Sequence, residues 1–281
     1  MVRRILITGA GGMLGRDLVD AAEGAGMDVV GLTRSDLDVT DPAAVDDALR
    51  QARPDVAINC AAWTDVDGAE SAIEEALATN GTGAGNVARA AGACGAWTIH
   101  LSTDYVFDGT KAGPYVESDA PRPLSAYGRS KLAGELEVAR NAPDRHTVVR
   151  ASWLFGAHGR CFPSTILRLC GERDQLAVVD DQVGCPTFTG HLAPALVELV
   201  RRGAPVGVIH MAGSGSCSWF ELAGRVVEVA GLNCQLTRAR TEDMARPAAR
   251  PAYSVLSSER QVAPPLPHWH RGVEEFMAVR V

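Results

Sequence analysis

The chain has 281 residues and a formal net charge of −7, with 46% apolar and 22% charged residues. That length suits one large domain or two tightly joined ones, with enough apolar chain for a real core. An acidic balance without a basic block argues against nucleic acid and anionic membrane as partners, but a local phosphate site is still compatible with it.

The elements follow in chain order. "RRILIT" (3–8) is a short apolar strand that ends in glycines. "MLGRDLVDAAEGAG" (13–26) sets Leu14, Leu18, Val19 and Ala22 at helical spacing. "MDVVGL" (27–32) reads as a second strand. "PAAVDDALRQA" (42–52) reads as a helix, with Pro42 tolerated at its start and Asp41 as cap. "DVAINCAA" (55–62) is a third strand, and 70–94 has helical pattern, broken or bent near Gly81–Gly85. "WTIHLST" (97–103) is a strand, 125–140 a helix and "HTVVRAS" (146–152) a strand. Later helices are expected at 161–172, 190–202 and 218–230, with short strands near 176–180 and 206–211.

Apolar strands alternating with helices predict a parallel sheet covered on both faces. Right-handed crossovers then make it doubly wound. The expected class is α/β. A Rossmann-type doubly wound parallel sheet over 1–153 binds the cofactor and carries the catalytic residues. A smaller C-terminal α/β substrate-binding region covers 154–281, without a clean linker and with some chain returning to the first unit.

Seven cysteines contain no C-x-x-C pair, which excludes zinc-ribbon and thioredoxin-like readings. Their odd number and irregular spacing suit reduced thiols in a cytoplasmic protein. The apolar run behind "MVRR" is too short for a signal peptide or a membrane span.

"GAGGMLG" (9–15) spaces Gly9, Gly12 and Gly15 as G-x-x-G-x-x-G between a strand and a helix. Such glycines allow a tight turn and close approach to a pyrophosphate, and the helix N-terminus offers free N–H groups. Met13 and Leu14 complete that cofactor-facing loop. At the end of strand two, an acidic residue would hold the ribose hydroxyls of NAD. This chain has Thr33 and Arg34 there, and a guanidinium suits a 2′-phosphate. NADPH is therefore expected, with NADH possible. Asp38 and Val39 are expected to border the adenine. Ala61 and Ala62 end the third strand, with Trp63 just after them, where small residues let a cofactor pass.

Ser102 and Thr103 lie where another strand leaves the sheet, and a hydroxyl there can bond a substrate carbonyl. "SAYGRSKLAGE" (125–135) puts Tyr127 four residues before Lys131, on one helix face. A phenol titrates near 10 and needs help to move protons at neutral pH. A nearby ammonium would lower it. Y-x-x-x-K alone is common on solvated helices. Joined to the glycine loop and the Thr103 strand, in that order, it points to chemistry.

These residues resemble the extended short-chain dehydrogenase/reductase superfamily and, within it, the dTDP-4-dehydrorhamnose reductase family. The likeness spans nearly the whole chain. It rests on "GAGGMLG", "DLDVTD", "PDVAINCAAWTDVDGAE", "STDYVFDG", "YGRSKLAGE", "RASWLFG", "VVDDQVGCPT" and "RPAARPAYSVLSS". The resemblance implies reduction of the 4-keto group of a nucleotide-diphosphate 6-deoxysugar by a monomer or homodimer. Tyr127 would then give a proton to the C4 oxygen. Lys131 would lower the Tyr127 pKa and hold the nicotinamide ribose, and Thr103 would orient the carbonyl. Asp104, Tyr105 and Trp153 would lie near the sugar. Phe162, Gln182, Pro186 and Thr187 would form the nucleotide-sugar side.

Two positions depart from the family pattern. Some members hold Mg²⁺ between acidic side chains at a dimer interface. Asp17 stands here where they often have Glu, and no second acidic cluster matches, so no metal is expected. Cys161 replaces a residue that is commonly polar. The same resemblance covers 4-ketoreductases of antibiotic deoxysugar pathways, such as dihydrostreptose synthases. Dehydratases and epimerases share the fold, but dehydratases carry an acid pair after the catalytic Thr. Here Asp104 is followed by Tyr105. A non-catalytic NADP-binding regulatory subunit would be expected to lose Thr103, Tyr127 or Lys131, and all three are present.

Overall fold

A computed structural model describes residues 4–279. Arg3, the first residue of the expected opening strand, lies outside them. The first half alternates β1 (Arg4–Thr8), α1 (Met13–Gly24), β2 (Asp28–Leu32), α2 (Pro42–Ala52) and β3 (Val56–Asn59). Then come α3 (Ile73–Leu77), α4 (Ala84–Ala93), β4 (Trp97–Thr103), α5 (Ala126–Asn141) and β5 (His146–Ala151). The Asp41 carboxylate caps α2 by accepting from the Ala43 and Ala44 amides. The bend expected near Gly81–Gly85 is a π-helical turn, Ala78–Gly83, which joins α3 to α4 without a loop.

The second half holds β6 (Leu154–Phe155), α6 (Phe162–Glu172), β7 (Gln175–Val179), β8 (Val183–Gly184), β9 (Thr187–Phe188) and α7 (Thr189–Arg202). It ends with β10 (Gly207–His210), β11 (Cys217–Ser218), α8 (Trp219–Ala230), β12 (Gln235–Ala239) and α9 (Trp269–Ala278). Beyond residue 153 the chain both leaves the sheet and returns to it. β10 pairs with β5, and α7 packs on α1.

The main sheet has six strands in the order β10-β5-β4-β3-β1-β2, with every pairing parallel. It is the expected Rossmann-type doubly wound α/β sheet. One face buries Leu14 and Leu18 of α1 with Leu192 and Leu196 of α7. The opposite face buries Val45 and Leu49 of α2 with Val87 of α4. β1 lies between β2 and β3, so the strand order reverses there. Ligands of open α/β sheets sit at such a switch point, beyond the carboxyl ends of the strands. A second core gathers Phe155, Phe188, Leu222, Val226 and Phe276 under α6, α8 and α9. Among the described residues no helix is long and apolar enough to cross a membrane.

Candidate active site

The glycine loop closes the switch point. Gly9 has φ 67°, and a Cβ there would lie 2.6 Å from the Ala61 amide nitrogen. The loop after β1 thus runs against the chain just past β3, and only glycine allows it. At Gly15 a Cβ would stand 2.2 Å from the Gly9 carbonyl oxygen, which lets α1 start hard against the strand. Gly12 caps α1 without a side-chain bond, and no acid sits in the first turn. The first amides of α1 therefore face the crevice with their positive potential intact. This cradle fits a pyrophosphate.

At the end of β2, the Thr33 hydroxyl bonds Asp36 at 2.6 Å and Ser35 at 2.8 Å. Arg34 is exposed beside it, within electrostatic reach of Asp38. Asp38 accepts from the Thr40 amide and hydroxyl. Val39 is buried and lies below the π turn. Met13 packs onto the second core and so joins the cofactor loop to the C-terminal region.

Thr103 ends β4 and is buried. Its Oγ1 donates to Asp104 Oδ1 at 3.1 Å and accepts from the Tyr105 amide at 3.2 Å. Tyr127 stands in the first turn of α5, which Ser125 caps through the Gly128 amide. The phenol is half-buried, and the Tyr105 ring meets it edge-on at 5.7 Å. Burial pushes the Tyr127 phenol above its ordinary value, and the neighbouring Thr103 side chain opposes this. The charges of Asp104 and Tyr105 push it further up. Trp63 packs in the same small cluster as Tyr127, its amide held by Asn80 Oδ1 at 2.8 Å.

Lys131 is 2% exposed, and its Nζ donates to the Leu101 carbonyl at 2.6 Å. Burial lowers the ammonium to about 8, against the opposing charge of Glu135. Glu135, one turn further along α5, accepts from Ser102 Oγ at 2.5 Å and from Arg150 at 2.9 and 2.7 Å. This buried network pins α5 to the ends of β4 and β5.

A second group of side chains lies on the C-terminal side. Trp153 has φ 46° and stacks on Trp219 at 3.5 Å. Phe162 lies 4.5 Å from the Trp219 ring. Gln182 accepts from Trp219 Nε1 at 3.0 Å and donates to Thr241 at 2.9 Å, so its amide holds the tryptophan in place. Ser152 joins the two groups, since it lies beside Asp104 and accepts from the Cys185 amide at 3.3 Å. Thr187 is not brought to the open site. It is fully buried, its hydroxyl donating to Cys185 O and accepting from Gly213 N. Pro186 is buried next to it.

Several site residues carry no sequence assignment. Trp219 opens α8 behind the S-x-x-E capping box of Ser218 and Glu221, a signal legible in the chain. Ser254 donates to Asp104 Oδ2 at 2.5 Å. Arg250 bonds Asp67 at 2.8 Å and lies beside the Tyr105 phenol. Both lie in the "RPAARPAYSVLSS" stretch, and nothing local reveals their partners. Asp17 pairs with His158 at 3.4 Å. Among the described residues no cluster of three or more His, Cys, Asp or Glu could hold a metal ion.

The arrangement places a neutral phenol, a buried ammonium and a buried hydroxyl at strand ends beside a pyrophosphate cradle. That suits hydride transfer to a carbonyl with protonation of its oxygen. Comparison with known proteins agrees. The family model described as RmlD substrate binding domain matches residues 3–280. A dTDP-4-dehydrorhamnose reductase of Mycolicibacterium smegmatis is 43% identical over 100% of this chain and 87% of its own length. A dTDP-4-keto-6-deoxy-D-glucose reductase of Streptomyces niveus is 43% identical over 96% of this chain and 94% of its own. The crystal structure of dTDP-4-dehydrorhamnose reductase from Bacillus anthracis in complex with NADP superposes with a TM-score of 0.95. It is 36% identical, over 99% of this chain and 100% of that one.

Proposed function

We propose, because this chain belongs to the dTDP-4-dehydrorhamnose reductase family, that it reduces the C4 keto group of dTDP-4-dehydro-L-rhamnose with NADPH to give dTDP-L-rhamnose. The observation that carries the reading is the buried Thr103 hydroxyl at the carboxyl end of β4 beside the Tyr127 phenol, with Lys131 buried one helical turn away. NADPH supplies the hydride when bound.

The residues from Gly9 to Leu14 would hold its pyrophosphate, and Thr33 with Arg34 its 2′-phosphate. Lys131 spends one N–H on Leu101 O, and its other N–H groups would hold ribose hydroxyls. Tyr127 donates the proton to the C4 oxygen as negative charge develops there. Burial keeps its phenol protonated at neutral pH, the state a donor needs. Trp153, Trp219 and Phe162 form an apolar wall for the nucleotide side, and Gln182 fixes that wall. All seven cysteines are unpaired, which suits the cytoplasm.

NADPH oxidation, followed at the nicotinamide absorbance with dTDP-4-dehydro-L-rhamnose, tests the reading. Tyr127→Phe is expected to lower kcat by at least about 100-fold while NADPH still binds. Full turnover by that variant would sink the proton-donor role. The identity to the S. niveus enzyme supports a second substrate, dTDP-4-keto-6-deoxy-D-glucose. The ratio of kcat/KM for the two sugars decides between them.

A further inference from the structure

The Thr103 hydroxyl carries a single proton. That proton goes to Asp104 Oδ1, while the oxygen accepts the Tyr105 amide. Thr103 therefore has nothing left to donate to a ketone so long as Asp104 is a carboxylate that claims its proton. Asp104 is 1% exposed, and its neighbours are hydroxyls: Thr103, Ser254 and Ser152. A protonated Asp104 can donate its own proton to Thr103 Oγ1. The Thr103 hydroxyl can then turn towards the ketone oxygen, beside the Tyr127 phenol.

We propose that Asp104 is a positioning residue of the reduction: its protonation releases the Thr103 hydroxyl and gives the C4 oxygen a second hydrogen-bond donor. The inference rests on the reduction proposed above. Two donors share the charge that develops on that oxygen, as in an oxyanion hole.

The surroundings leave Asp104 free to switch. Burial pushes its carboxyl up to about 6, against the three hydroxyls. The ionisable groups that face it are Tyr127 of α5, the adjoining Tyr105 and Cys185 beyond β8. Arg250 and Asp67 reach it through Tyr105. Burial holds Tyr105 at about 12 and Cys185 at about 11. Arg250 keeps Asp67 below the usual carboxylate range. Lys131 of the same helix titrates higher, at about 8. Asp104 is thus the member of this set that changes charge in mildly acidic solution. A bound sugar excludes water and disfavours the carboxylate further, so the transition in kcat lies at higher pH than that in kcat/KM.

The test is the pH profile of the wild-type enzyme with NADPH and dTDP-4-dehydro-L-rhamnose. As pH rises through about 6, kcat/KM is expected to fall to a lower plateau. The drop is about tenfold, the weight of one neutral hydrogen bond. In Asp104→Asn the amide can donate to Thr103 at every pH, and the step disappears. In Ser254→Ala the carboxyl remains but loses a donor to its ionised form, so the step moves to higher pH. A step that survives in Asp104→Asn, or stays in place in Ser254→Ala, overturns the proposal and leaves the reduction standing. Failure of the wild-type enzyme to turn over overturns the reduction, and the positioning role with it.

Discussion

Arg34 stands exposed at the end of β2, next to a Thr33 hydroxyl already bound to Asp36 and Ser35. Its guanidinium is the cation of that loop and suits the 2′-phosphate that separates NADPH from NADH. Arg34→Ala is expected to raise KM for NADPH about tenfold and to leave KM for NADH unchanged, the cost of roughly one charge-assisted hydrogen bond. Steady-state kinetics with both nucleotides checks this, and an equal rise for both would refute it. Arg34, Tyr127, Lys131 and the glycines are legible in the sequence because each belongs to a local pattern. A turn, a strand end and an i, i+4 pair all need only neighbours in the chain. Ser254 and Arg250 reach the site through long-range folding, and no spacing announces them; the capping box marks Trp219 as a helix start but not its ring partners. Thr187 shows the converse. The resemblance implied a place on the nucleotide-sugar side, but its hydroxyl is spent on the main chain.

Helix α5 carries the reacting phenol, so its seating on β4 and β5 matters as much as its sequence. Glu135 and Arg150 form that seat, at 5% and 3% exposure. Breaking a buried pair by removing one partner leaves the other charge without compensation. Arg150→Met is therefore expected to destabilise the fold by about 3–5 kcal/mol. Glu135→Gln placed in the same chain should restore part of the loss. Urea unfolding of the two single variants and the double variant measures the coupling. Additive losses would show that the pair is not coupled. Most elements of the first half are legible because apolar strands and amphipathic helices carry strong periodic signals. The strand near 206–211 is also visible, but its place beside β5 is a matter of topology. β12 and α9 escape the reading. β12 is a mostly exposed strand, Gln235–Ala239, whose polar residues lack an apolar alternation. α9 is short, and its buried Trp269, Val273 and Phe276 find their partners only in the second core.

Across the whole molecule, folding holds several groups away from their ordinary protonation, and the balance sets how stability follows pH. Burial lowers the pKa of His100 and His210. Their ring Nε2 atoms have no hydrogen-bond partner among the described residues. The unfolded chain takes up protons at these sites as pH falls through about 6.5, and the folded chain does not, so stability falls. Asp104 acts in the other direction. Its carboxyl, raised to about 6, binds a proton in the folded chain first, which adds stability as pH falls below that value. One carboxyl offsets only part of two histidines. Further down, the carboxylates of Asp67 and Asp119, held low by Arg250 and Lys111, add to the loss as they are protonated. Their stabilisation is present above the unfolded value near 3.9 and fades as pH drops through the lower folded value. The denaturation midpoint in guanidinium chloride is therefore expected to decline from pH 7.5 to pH 5, ahead of the carboxylate range. His100→Gln should flatten that decline, because a neutral amide takes up no proton in either state. A midpoint constant to pH 5 in the native chain, or an unchanged slope in the variant, would remove the buried histidines as its cause.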